Sequence, residues 1–260
     1  MTPEDVMRVF AFQEAGLWQG ILVFLRVAPV MSLIPGFSEQ SVPMRVRLGI
    51  ALAMTMIVAP VLPSLAPNTA FSLPVALRFM VTETLSGLVL GLGLRMFILA
   101  LQTAGSMAAQ ATSLSQILGG AGAEPLPAFG HILVMGGLAF AMMMGLHLRA
   151  AEYLIASYDV LPAGRFPLAS DLAEWGVAQV AAMFALAFRI AMPFIIVSVL
   201  YNLTLGVVNR AMPQLMVAFV GAPVITAGGL VLLALLSPMM IALWFEALAG
   251  FLDNPFRPVP

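Results

Sequence analysis

Residues 94–126 read LRMFILALQTAGSMAAQATSLSQILGGAGAEPL, and between Arg95 and Glu124 they carry no charge. The polar residues are ordered: Gln102, Ser106, Gln110 and Ser113 follow at steps of four, four and three, which stacks them on one face of a helix. Ala104, Gly105, Ala108, Ala109 and Ala111 fill much of the remainder, and the helix runs out into Gly119-Gly120-Ala121-Gly122. A neutral stripe of hydroxyls and amides leading into a glycine-rich loop has two uses in an oily chain. It can line a wet passage, or it can let neighbouring helices approach closely and share hydrogen bonds.

The surroundings of that stretch fix the class of protein. Of 260 residues, 62% are hydrophobic and 9% charged, against roughly a quarter charged in a soluble domain. Several apolar runs exceed the ~20 residues that a helix needs to cross ~30 Å of hydrocarbon. The expected fold is therefore an all-α integral membrane domain of about six long, partly broken hydrophobic helices. A net charge of -1 gives no basic field for nucleic acid. All cations are arginine and there is no cysteine, which excludes lysine Schiff bases, thiolate chemistry, disulfides and thiolate metal sites. His131 and His147 stand sixteen residues apart, with no HExxH-type pair. No nucleophile–base set is present, Gly119-Gly120 precedes no lysine of a phosphate loop, and neither an enzyme nor a cofactor is expected.

Along the chain, Thr2-Pro3-Glu4-Asp5 reads as a helix start, with a cap, a first-turn proline and acids on the positive end of the dipole. The acidic N-terminus and Glu14 are unlike a cleavable signal, so the first apolar run, Gly16 to Met31, is expected to act as its own address. A connector with Arg45 and Arg47 leads to a second run, Val46 to Val61. The third, Leu73 to Gln116, would reach roughly 65 Å if wholly helical, and Gly87, Gly91 and Gly93 are natural places to bend it. A fourth, Pro127 to His147, continues as a wetter amphipathic helix to Tyr158. Asp171 and Glu174 resemble a capping box opening the fifth, Trp175 to Val208, with a kink expected at Pro193. The last, Gln214 to Phe251, reads equally as a hairpin of two short helices or as one broken helix.

Three charges lie deep in these runs: Arg26, Glu83 and Arg189. An exposed charge there costs at least ~2.5–3.5 kcal/mol, so each is expected to pair with a neighbouring helix or subunit. A proton relay is the alternative, but relays concentrate several acids at one depth and Glu83 stands alone. The nineteen methionines are expected to be packing for the most part.

Four segments carry a family resemblance: RVAPVMSLIPGFSEQSVPMRVRLGIALA (26–53), AGSMAAQATSLS (104–115), HLRAAEYLIASYDVLPAG (147–164) and LGVVNRAMPQLMVAFVGAPVITAGGLVLL (205–233). They resemble the FliR family of flagellar type III export-gate proteins and its virulence-secretion counterparts, the SctT proteins. The arginine-bearing connector and the segment containing Pro213 and Gln214 are the most specific parts. The resemblance implies a single subunit in a helical shell with FliP and FliQ homologues, beside the larger export-gate protein FlhB, in the bacterial inner membrane at the flagellar basal body. That shell is the gated entry pore for unfolded flagellar substrates. The implied organisation is one membrane-embedded domain, 1–260, with a FliP-like portion over about 1–165 and a FliQ-like helical hairpin over about 170–252. A plug loop maps near 116–124, on Gln116, Ile117, Leu118, Gly119, Gly120, Ala121 and Gly122. Relatives commonly carry an aromatic followed by Asp-Pro where this chain has Gly119-Gly120-Ala121-Gly122, which implies a smaller and more mobile plug, and Met216 stands where relatives often have Asn. Gln102, Ser106, Gln110 and Ser113 become the candidate pore lining, while Arg26, Arg45, Arg47, Glu83, Arg189, Pro213 and Gln214 become candidate assembly residues. The rival reading, a small-solute secondary transporter, calls for paired midplane charges and an internal repeat, and no repeat is present.

Overall fold

The computed structural model describes residues 3–39, 42–65, 72–113, 128–212 and 217–256. Among them the chain forms seven helices and no strand: α1 (Pro3–Leu33), α2 (Met44–Val58), α3 (Leu73–Ser113), α4 (Ala128–Met143), α5 (Leu146–Val160), α6 (Ala169–Ala211) and α7 (Val217–Asp253). Helices α1, α3, α6 and α7 are long and apolar enough to cross a membrane, and α4 with α5 add a fifth candidate if taken as one span. At 1.5 Å per residue, α3, α6 and α7 reach roughly 55–65 Å, about twice the hydrocarbon thickness.

The local chemistry accounts for most boundaries. Pro3 opens α1, where its missing N–H costs nothing. Pro29 sits inside the same helix and removes one backbone bond without ending it; the end comes at Leu33, before Gly36 turns with φ 89°. The fourth apolar run breaks between α4 and α5 at Gly145, whose φ of 80° an L side chain adopts only at a cost. The last run, left open by the sequence, is a single helix through Pro238. Asp171 lies inside the first turn of α6, two residues past its start, so it complements the dipole and does not cap.

The chain divides into two compact units, interleaved in sequence: 1–95, 144–177 and 251–258 form the first, and 96–143, 178–250 and 259–260 the second. In the first unit, α1 buries Leu22, Val23, Val27, Val30 and Met31 at helical spacing, and Ile34 is buried just past its end. Gln19 donates to the carbonyls of Ala59 (2.7 Å) and Leu62 (3.2 Å), satisfying acceptors that the end of α2 leaves free. Gly87 and Gly91 of α3 face α1: a Cβ on Gly87 would overlap the Arg26 carbonyl oxygen, and one on Gly91 would lie 2.9 Å from Leu33 Cδ1. The two are four residues apart, the spacing that lets helices meet at backbone distance. The glycines expected to bend the third run are thus contact sites in an unbroken helix.

In the second unit, Ile98, Leu101, Ala104 and Ala108 form the buried face of α3. A Cβ on Gly105 would overlap the Gly130 backbone, so α3 and α4 also meet closely. Trp244 of α7 is fully buried and its indole donates to the Phe97 carbonyl at 2.8 Å. Phe140 meets Phe245 edge to face at 5.3 Å, and Phe129 packs on Phe194 at 5.8 Å. This unit holds only four charged residues, Glu124, Arg189, Arg210 and Glu246; all others belong to the first.

Candidate functional site: an uncharged polar stripe and a buried ion pair

The polar stripe belongs to the charge-poor second unit. Its helical spacing turns Leu101, Ala104 and Ala108 into the core and leaves Gln102 and Gln110 exposed, with Ser106 half-buried between them. Ser113 is the last residue of α3. Hydroxyls elsewhere on this half of α3 turn inward: Thr112 donates to its own helix at the Ala109 carbonyl, 2.9 Å away. The Ala111 carbonyl receives Ser198 of α6 at 2.6 Å, and Asn202 in turn donates to the Ser198 carbonyl at 2.8 Å. The two glutamines, by contrast, have no hydrogen-bond partner among the described residues. Such a surface offers hydrogen bonds without charge, which suits weak and unselective contact. The proposed plug, Gln116, Ile117, Leu118, Gly119, Gly120, Ala121 and Gly122, lies outside the described residues, as do Pro213 and Gln214.

The structure brings Arg26 and Glu83 together in the first unit. Both side chains are fully buried, with Nε of Arg26 2.8 Å from Oε2 of Glu83 and Nη2 3.1 Å from Oε1, a two-pronged pairing. Helix α5 completes the cage. Nη1 donates to the Ser157 hydroxyl at 3.1 Å, and Nη2 donates to the Leu161 carbonyl at 2.8 Å. That carbonyl is available because α5 ends there, one residue before Pro162, so a helix terminus of negative character faces the cation. The Tyr158 ring lies over the guanidinium with its centroid 3.6 Å away. Three helices distant in sequence, α1, α3 and α5, thereby converge on one guanidinium.

The remaining candidate residues are dispersed. Arg45 is exposed at the start of α2, and Arg47, half-buried, donates to the Glu39 carbonyl. Arg95 donates to the Ser38 hydroxyl at 3.1 Å. Arg189 is exposed on α6 and has no partner among the described residues. Sequence reasoning missed Ser157, Tyr158 and the Leu161 carbonyl. The signal lay in ASYDVLP, where a small hydroxyl, an aromatic and a helix stop follow in quick order. No group of three or more His, Asp and Glu residues that could hold a metal occurs among the described residues.

Residues 17–250 match the family described as bacterial export proteins, family 1. The flagellar biosynthetic protein FliR of Caulobacter vibrioides is 34% identical over 94% of this chain and 96% of its own length. FliR of Escherichia coli K12 is 32% identical over 83% of each chain. FliR of Bacillus subtilis is 29% identical over 82% of this chain and 83% of its own. With a family match across nearly the whole length, and helices long and oily enough to cross a bilayer, the chain belongs to the FliR family of membrane-embedded bacterial export proteins.

Proposed function

We propose that the chain is a core channel subunit of the flagellar type III export apparatus. With FliP and FliQ homologues it forms the gated entry pore for unfolded flagellar substrates, next to FlhB, in the inner membrane at the basal body. The observation that carries this reading is the stripe of exposed Gln102 and Gln110, with half-buried Ser106 between them, in a unit almost devoid of charge. A passage for many different unfolded chains must not hold any of them tightly, and uncharged amides and hydroxyls meet that demand better than charges or a purely oily wall. In this assembly residues of about 1–165 play the FliP-like part, those of about 170–252 form the FliQ-like hairpin, and the loop at 116–124 closes the pore.

Affinity purification of the tagged chain from cells carrying the whole export system tests the reading. Two small hydrophobic partners should accompany it in stable ratio; a solitary chain or a homo-oligomer would overturn the proposal. Deleting residues 117–122 should leave that complex assembled and make the membrane leaky to small ions, whereas unchanged permeability would remove the plug.

A further inference from the structure

A seam on α6 has the geometry of a helix-docking surface. Counting from Arg189, positions repeat at alternating steps of four and three: Pro193, then Ile196, Leu200, Leu203 and Val207, then Arg210. That is a mean period of 3.5, the repeat that keeps one stripe of a helix against a neighbouring helix over many turns. Apart from half-buried Pro193, every position on the seam is exposed; Ile196 is 51% accessible and Leu203 65%. Arg189 ends the seam but not the apolar length of α6, because Val177, Val180, Phe184 and Phe188 are exposed on its other faces up to about three turns N-terminal to it. Reaching out to a lipid headgroup therefore serves it poorly, since a snorkelling arginine needs a polar boundary within the length of its side chain.

Resting on the export-gate reading above, we infer that this seam takes an apolar helix of a different subunit bearing an Asp or Glu at the depth of Arg189. The seam rejects a second copy of itself. Packed parallel and in register, Arg189 would oppose Arg189; packed antiparallel over the same length, Arg189 would oppose Arg210. Like charges facing each other in a desolvated contact are strongly disfavoured. A carboxylate from another chain gives the cation what no described residue of this one supplies, and a single polar contact in an oily seam also fixes register.

The test places a benzophenone side chain at Leu203 in cells carrying the whole export system, with the cross-linked peptide mapped by mass spectrometry. The peptide should come from an apolar helix of another subunit, with an acid within one turn of the depth of Arg189. Arg189→Glu should lower the yield about tenfold or more and Arg189→Lys by no more than about twofold, since only the first sets two like charges face to face. Changing the mapped acid to Arg should restore cross-linking in the Arg189→Glu chain, a rescue that a merely misfolded variant would not show. Cross-links to lipid alone, to a second copy of this chain, or to a helix without an acid would overturn the inference. Those outcomes are separable from failure of the export-gate reading, which would show as a wild-type chain that purifies without hydrophobic partners.

Discussion

A guanidinium sealed among apolar side chains is tolerable only while its donors are occupied, and Arg26 has four of its contacts in place: two to Glu83, one to Ser157 and one to the Leu161 carbonyl. The consequence is an asymmetry between breaking the pair and replacing it. Arg26→Met or Glu83→Leu alone leaves one buried charge unmatched and should cost about 3–5 kcal/mol. The double substitution removes both charges and should recover most of that loss. Thermal unfolding of the detergent-solubilised protein measures all three, and a double variant no better than the worse single would show that the pair itself is required. The sequence disclosed that Arg26 and Glu83 needed partners but not that they were each other's. Residues 57 apart leave no trace of their pairing in a single sequence, and the cage from α5 depends on where that helix stops in space.

At the scale of elements, the crossing of α1 and α3 depends on the absence of a side chain. Gly87→Ala would drive a methyl into the Arg26 backbone, where nothing flexible can yield, and should destabilise by about 1–3 kcal/mol. Gly49 of α2 has nothing within 4 Å of its would-be Cβ. Gly49→Ala should therefore be neutral or stabilising by up to about 1 kcal/mol, the gain in helix propensity. Parallel melts of the two variants check the contrast. Gly145→Ala should cost about 1–2 kcal/mol by forcing a side chain into the left-handed region between α4 and α5. The first helix start was legible, because Pro3 acts through local backbone geometry, whereas the break at Gly145 inside the fourth apolar run was not, since a lone glycine among apolar residues does not announce a positive φ. Nor was the use of Gly87 and Gly91: a glycine in an oily helix reads the same whether it bends the chain or receives another helix. Asp171 misled for a similar reason, since an acid serves the first turn of a helix from either side of the cap.

The whole molecule is a family member whose surface suits lipid and protein neighbours more than water. Charge is confined almost entirely to the first unit, and the second presents long apolar faces of α6 and α7 with Arg189, Arg210 and Glu246 as isolated exceptions. Composition and hydropathy alone made the membrane class and the all-helical fold legible, because both are set by residue content summed over long runs. The surroundings of α6 and α7 were not legible, because a face built for lipid and a face built for an apolar partner have nearly the same composition. Whether the stripe on α3 meets water once the partners are in place separates a passage from a packed helix contact. Because the chain has no cysteine, Gln102→Cys and Gln110→Cys each introduce a single thiol. In the purified, partner-containing complex, a water-soluble, membrane-impermeant maleimide should label both of them, and should spare a thiol placed at buried Ala104. Full protection at 102 and 110, in a complex shown to be intact, would mean that the stripe packs against other helices and lines no passage.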